Sequence, residues 1–293
     1  MFNRLRARLS PEKRSRLRAL KRKARRLLVH PLVRKFRSFG KPQLIRALRS
    51  LGVERGDALM VHGSFDNNES GFTGTANEFI DTLMEVVGPH GHLLMVSLPY
   101  NSSTYEYLQQ GKIFDVRKTV SHMGLLSETF RKRNGVLRSQ HPTHPILASG
   151  PKATWLVEDH EKSLYPCGLG TPLDKLLQLG GKVLFFNVSF FNFTFFHYLE
   201  DRIKNRLDFP LFFPQPFAVP YIDIEGNRQM MRTYVHSLEA NRKRRPQILK
   251  AEFDKQNLIK VGRLGASHLQ VIGTRDAIRC FDNMTARGIF FYE

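Results

Sequence analysis

Just after the apolar run Lys182–Val188, the chain carries Thr194-Phe-Phe-His197-Tyr-Leu-Glu200. On a helix, residues three apart share a face, so His197 and Glu200 can touch. A carboxylate on one imidazole nitrogen fixes the tautomer and raises basicity, leaving the other nitrogen to accept a proton. Thr194, one turn earlier, would bring a hydroxyl and unpaired helix-start N–H groups to a developing oxyanion. The three together suit general-base chemistry beside a growing negative charge. An ordinary surface His–Glu pair fits the same spacing. Two further clusters strengthen the catalytic reading. His62-Gly63-Ser64 follows the apolar stretch Ala58–Val61, at the strand end where α/β folds place ligands. Arg138-Ser139-Gln140-His141-Pro142 is polar and leads into a loop. Arg242-Lys243-Arg244-Arg245 can hold a phosphate, although a solvated basic loop is the simpler reading.

Some common machinery is missing. The sequence has no GxGxxG after a strand, no P-loop, no HExxH and no GxSxG elbow. Gly168-Leu169-Gly170-Thr171-Pro172 lacks the third glycine of a dinucleotide fingerprint and reads as a loop. The two cysteines, Cys167 and Cys280, have no CxxC partner, which excludes a disulfide scaffold or a cysteine-built zinc site. No metal is expected, and a reducing cytoplasm is the natural compartment.

The elements that must position these residues alternate. A short helix over Leu44–Leu51 precedes the strand Ala58–Val61, and a helix over Ala76–Val87 stops at Gly88-Pro89. Leu93–Leu98 is a second strand, Met123–Lys132 a helix, and Pro172–Leu179 a helix closed by Gly180-Gly181. Lys182–Val188 is a third strand, followed by a helix from about Thr194. Such alternation predicts an α/β protein whose sheet is covered on both faces. From about Phe209 onward the pattern looks irregular, through four prolines, and then strand-like.

Charge divides the chain differently. Of 293 residues, 46 are Lys or Arg and 26 Asp or Glu, a net of +20. Residues 1–50 hold 18 of the bases and only Glu12 in opposition, leaving about +3 for residues 51–293. The basic character therefore belongs to an arm, residues 1–40, and the domain proper to residues 41–293. Ser10-Pro11-Glu12 is a helix start, and Leu17, Leu20, Ala24, Leu27 and Leu28 fall on one face of a basic amphipathic helix. That arm suits an anionic membrane surface, a solvated extension being the alternative. Nucleic acid is disfavoured because the arm lacks interleaved aromatics.

With these motifs in order, the chain resembles the aminoglycoside 3-N-acetyltransferases, the antibiotic N-acetyltransferase family. The resemblance runs from about Lys41 and rests on Leu51-Gly52-Val53 with Gly56-Asp57, His62-x-Ser64, and Gly88 with Gly91. It continues through Phe114-Asp115, Gly124-x-x-x-Glu128-x-Phe130-Arg131, Arg138-Ser139-x-His141-Pro142 and Thr194-x-x-His197-x-x-Glu200. It implies a single three-layer α/β/α domain around a mixed sheet, acyl-CoA as donor, and an amino sugar as acceptor. It also implies His197 as general base and Glu200 as its orienting partner. The thioester end of CoA is expected near His62 and Ser64, with Ser139 and His141 as further binding residues. Three departures flank the donor and acceptor pockets: Gly63 for the family's serine, Val120 for its proline, and His144-Pro145 where a serine is usual.

The nearly neutral body and the Arg242–Arg245 cluster disfavour a polycation. They point to an anionic acceptor, a nucleotide-linked amino sugar of surface-polysaccharide synthesis, at the inner membrane face. The alternatives are the family's own activity on aminoglycosides and a non-catalytic protein tethered by its arm. The sequence leaves a homo-oligomer open.

Overall fold

The computed structural model describes residues 37–66 and 70–293, so the arm's expected helix and membrane contact lie outside the described residues. The first half runs α1 (Lys41–Ser50), β1 (Ala58–Gly63), α2 (Ala76–Val87), β2 (His92–Val96), α3 (Thr104–Gln109), β3 (Phe114–Asp115), α4 (Leu125–Arg131), β4 (Leu137–Arg138), β5 (Ile146–Ser149) and α5 (Ala153–Val157). There follow α6 (Pro172–Gln178), β6 (Lys182–Phe186), α7 (Phe196–Ile203), β7 (Phe217–Ile222), β8 (Arg228–Thr233), α8 (Leu238–Lys243), α9 (Pro246–Lys255), β9 (Lys260–Leu264), β10 (Ser267–Gly273) and α10 (Thr274–Ala286).

A seven-stranded sheet orders these strands β4-β5-β2-β1-β6-β10-β9. Its centre is parallel, β1 lying between β2 and β6 with Val61 opposite Met95 and Leu184. Its flanks are antiparallel, β10 on β6 and β5 on β2, which makes the sheet mixed. Alternation along the central strands divides their side chains. Met60, Leu94, Val183, Phe185 and Ile272 face one layer of helices, including α6, α7, α9 and α10. Leu59, Val61, Met95, Leu184 and Phe186 face α1, α2 and α4 on the other. Both faces are covered, giving the three layers expected; each fully buried Leu or Phe contributes about 1.5–3 kcal/mol. A smaller sheet, β3-β7-β8, holds a satellite core around Phe114, Val219 and Tyr221.

Local signals explain several boundaries. Thr75 caps α2 by accepting from the Glu78 N–H at 3.2 Å, while the Glu78 carboxylate accepts from the Thr75 N–H at 2.7 Å. Phe39, assigned by sequence to the arm, is buried in the core and packs its ring 5.8 Å from that of Phe72. The last third departs most from expectation. After the β7–β8 hairpin it holds α8, α9, a second hairpin, and α10, whose Ala277, Cys280, Phe281 and Met284 are buried at helical spacing. Prolines 210, 214 and 216 lie in the irregular segment ahead of β7, and Pro220 lies within β7 opposite Met230.

Candidate active site

The parallel strands β1 and β6 end side by side, His62 opposite Phe185 and Gly63 opposite Phe186. From β6 the chain turns through a short 3-10 segment, Phe190–Asn192, and enters α7. Phe195, Phe196, Tyr198 and Leu199 are buried, so α7 is anchored by its apolar face. That leaves His197 on the wall of a cavity of about 240 Å³, with Thr194 and His62 also on its lining. Val61, Met95, Leu126 and Phe193 supply apolar walls. A neighbouring polar groove is lined by Ser64, Asp66, Ser70 and Asn187 and meets the cavity at Val188.

The His197–Glu200 contact is formed. Nδ1 lies 2.6 Å from Glu200 Oε2, which leaves Nε2 as the nitrogen available to the cavity. Glu200 is wholly buried and takes more than this one bond. Arg244 places Nε 2.5 Å from Oε1 and Nη2 3.1 Å from Oε2, and the Tyr292 hydroxyl donates to Oε1. His236 Nε2 lies 3.2 Å from Oε2. Burial by itself would raise the Glu200 pKa, but the Arg244 guanidinium holds the carboxyl well below its usual range.

The neighbouring imidazoles are kept neutral. Burial lowers His236 to about 4, and it lowers His144 well below the ordinary histidine value, with His197 and His236 adding to that effect. Their rings sit 5.1 Å and 6.3 Å from the His197 ring. His197, Glu200 and His236 bring ligand atoms within 4.8 Å of one another. A cation there would meet the Arg244 guanidinium already seated on both carboxylate oxygens.

The residues expected on the donor side divide. His62 lies on the cavity, stacked on Phe185 at 5.7 Å; burial lowers its pKa to about 4, and its buried Nε2 has no partner. Ser64 is exposed in the groove, its N–H bonded to the Phe186 carbonyl at 2.9 Å. Ser139 and His141 line neither space. Both are fully buried and spend their polar atoms internally: Ser139 Oγ on the Ile146 N–H and His160 Nδ1, each at 2.9 Å, and His141 on Thr143 and Thr233. Thr194 stands in the turn before α7, and its carbonyl accepts from the His197 N–H at 3.0 Å.

Gly63 has a steric reason. A Cβ built there would lie 2.7 Å from Leu126 Cδ1, so the leucine methyl occupies the space a serine side chain would need. Sequence reading missed Tyr292 and His236, gave Arg244 only to a basic cluster able to hold a phosphate, and named His144 only as a departure flanking the pockets. Arg244 and Tyr292 are 44 and 92 residues from Glu200, beyond any local spacing rule.

The model of the family described as aminoglycoside 3-N-acetyltransferase matches residues 60–286. The chain belongs to that family. Aminoglycoside N(3)-acetyltransferase III of Acinetobacter baumannii is 32% identical over 163 residues, covering 51% of this chain and 56% of the relative. Aminoglycoside N(3)-acetyltransferase VII of Streptomyces paromomycinus is 30% identical over 165 residues, with the same two coverages. The chain thus spans about half the length of these curated relatives. The fold is that of AAC-IIIb solved as a binary complex with CoASH, with a TM-score of 0.67, 23% identity, and coverage of 86% of this chain and 97% of that one. The Gly63 departure and the Arg244–Tyr292 grip on Glu200 are therefore features of a member of the family.

Proposed function

We propose that the chain transfers an acetyl group from acetyl-CoA to an amino group of an aminoglycoside. The observation that carries this is the His197–Glu200 pair, opening onto the cavity between the ends of β1 and β6 in a chain of this family. CoA supplies the activated thioester, and its thiol, with a reference pKa of about 8.5, leaves with little acid assistance. The orphaned Nε2 of His62 fits a polar, uncharged group such as the donor's amide arm, and a neutral imidazole meets such a group without repulsion. His62 and Ser64 are the residues we assign to hold the donor.

His197 does the proton work. Its Nδ1 is committed to Glu200, so Nε2 takes the proton from the acceptor nitrogen. The N–H groups of Phe196 and His197 are already bonded to Phe193 and Thr194 carbonyls. Thr194 lies on the cavity wall, and its hydroxyl is the side-chain donor we assign to a developing oxyanion.

A nucleotide-linked acceptor loses its support. The relatives are named for aminoglycosides, and the basic cluster behind the anionic reading is partly spent within the protein: Arg244 on Glu200 and Arg245 on Glu293 at 2.9 Å. No described helix is long and apolar enough to cross a membrane. The test is thiol release from acetyl-CoA against aminoglycosides and, separately, nucleotide-linked amino sugars. Turnover on aminoglycosides that vanishes in His197→Ala supports the proposal. Turnover on the second panel alone would reverse the acceptor, and silence on both without CoA binding would leave a scaffold protein.

A further inference from the structure

In sequence Arg244 belongs to a basic loop, yet its guanidinium points inward and is mostly buried, with 18% of the side chain exposed. One planar group spans both oxygens of Glu200, the geometry in which arginine grips a carboxylate most firmly. A backbone bridge pairs Arg244 with Tyr292, so the strand segment that carries the tyrosine is docked on the same carboxylate. His197 Nδ1 shares Oε2 with the Arg244 Nη2. The base and the guanidinium therefore act on one carboxylate from two sides.

Building on the reading of His197 as the base, we propose that Arg244 is a positioning residue that sets the pH range of the His197–Glu200 dyad, cancelling the Glu200 charge while aiming its oxygen at Nδ1.

With Arg244 present, the dyad ready to accept a proton is net neutral together with the guanidinium, and one more proton makes the group +1. Without Arg244 the same dyad carries −1, and the proton brings it to zero. In buried surroundings the second uptake is far easier, whether the proton rests on the imidazole or on the carboxyl. The dyad would then be occupied by a proton at a higher pH and idle as a base. Other groups facing the pair leave this balance alone. Burial keeps His144 and His236 neutral. Burial and the Glu200 charge keep the Tyr292 phenol protonated, and burial pushes the Cys167 thiol well up. Arg244 is thus the cation on the carboxylate among the described residues. At the few ångströms set by a shared carboxylate, with an effective dielectric of about 20, removing a unit charge corresponds to about two to three pH units.

The experiment follows kcat/KM against pH for wild type, Arg244→Gln and Arg244→Lys, and the His197 imidazole by NMR over the same range. In Arg244→Gln, both the acid limb of activity and the imidazole titration should move up by about two to three pH units. A variant slow at neutral pH would then regain rate as pH rises. Lysine keeps the charge but not the two-pronged grip, so Arg244→Lys should hold the limb near the wild-type position at a lower rate. Arg244→Gln that loses rate equally at every pH, with the imidazole titration unmoved, overturns the proposal and makes Arg244 a structural strut. If Arg244→Gln does not fold, the lysine variant decides: an upward shift despite a retained charge overturns the proposal, and an unshifted limb supports it. The imidazole titration needs no turnover. A wild-type chain that acetylates nothing would sink the enzymatic reading, while the NMR comparison would still judge Arg244.

Discussion

Replacing Glu200 by glutamine removes a negative charge from a side chain with no exposed surface. The carboxylate is wholly buried, and the partners gathered on it are donors: His197 Nδ1, the Arg244 fork and the Tyr292 hydroxyl. Glutamine keeps one acceptor oxygen and turns its NH₂ toward groups that also donate. More costly, Arg244 is left buried facing a neutral amide. Removing one partner of a buried ion pair costs about 3–5 kcal/mol. At roughly 2–4 °C per kcal/mol for a domain of this size, the melting temperature should fall by about 6–20 °C. Glu200→Gln should therefore lose stability as well as activity. A second substitution, Arg244→Met in the same chain, removes the stranded charge and should recover more than half of the lost stability, with turnover still depressed. Urea unfolding gives the stabilities and thiol release from acetyl-CoA the turnover. The pH dependence has a definite sign. Because folding depresses the Glu200 pKa, its contribution is present above the unfolded value of about 4.3 and is lost as pH falls toward the folded one. A single variant as stable as wild type, or a double variant no more stable than the single, would refute the assignment of Arg244 to this carboxylate.

Three other outcomes are expected. His197→Ala should cost about 10²–10⁴ in turnover, with CoA affinity unchanged by calorimetry; near-normal turnover would remove His197 as the base. Ser139→Ala should destabilise by about 1–3 kcal/mol, because the Ile146 N–H and His160 lose their shared partner, while KM for acetyl-CoA stays put. A rise in KM without loss of stability would return Ser139 to the donor site. Gly63→Ser should cost about 1–3 kcal/mol through its clash with Leu126, and Leu126→Ala in the same chain should relieve part of it; additive losses in thermal melts would count against the clash.

The elements legible in the sequence were those with strong periodicity and punctuation. The helix Ala76–Val87 lies where its capping residues and Gly88 place it, and the three apolar runs became the three parallel central strands. His197 and Glu200 could be paired because both sit on one helix three residues apart. Arg244 could not, since its two neighbouring bases and Arg245 make a surface loop the default reading, and only tertiary docking turns it inward. Ser139 and His141 look like site residues by type, but their donors and acceptors are used up by buried neighbours. Reading the region after Phe209 as irregular and then strand-like misses α10, although its Ala277, Cys280, Phe281 and Met284 stand at helical spacing.

The sheet order also bears on how the chain is made. Strand β6 pairs with β1 on one side, and its other side is closed only by β10, whose residues are synthesised about 80 positions later. Until then, the Lys182–Phe186 segment presents an open edge carrying adjacent phenylalanines, a template for pairing with another nascent chain. At roughly 5–20 residues per second, that exposure lasts on the order of 4–16 seconds on each ribosome. The interval between the synthesis of Phe186 and that of Ser267 is therefore a window for misassociation that closes only when β10 docks on β6.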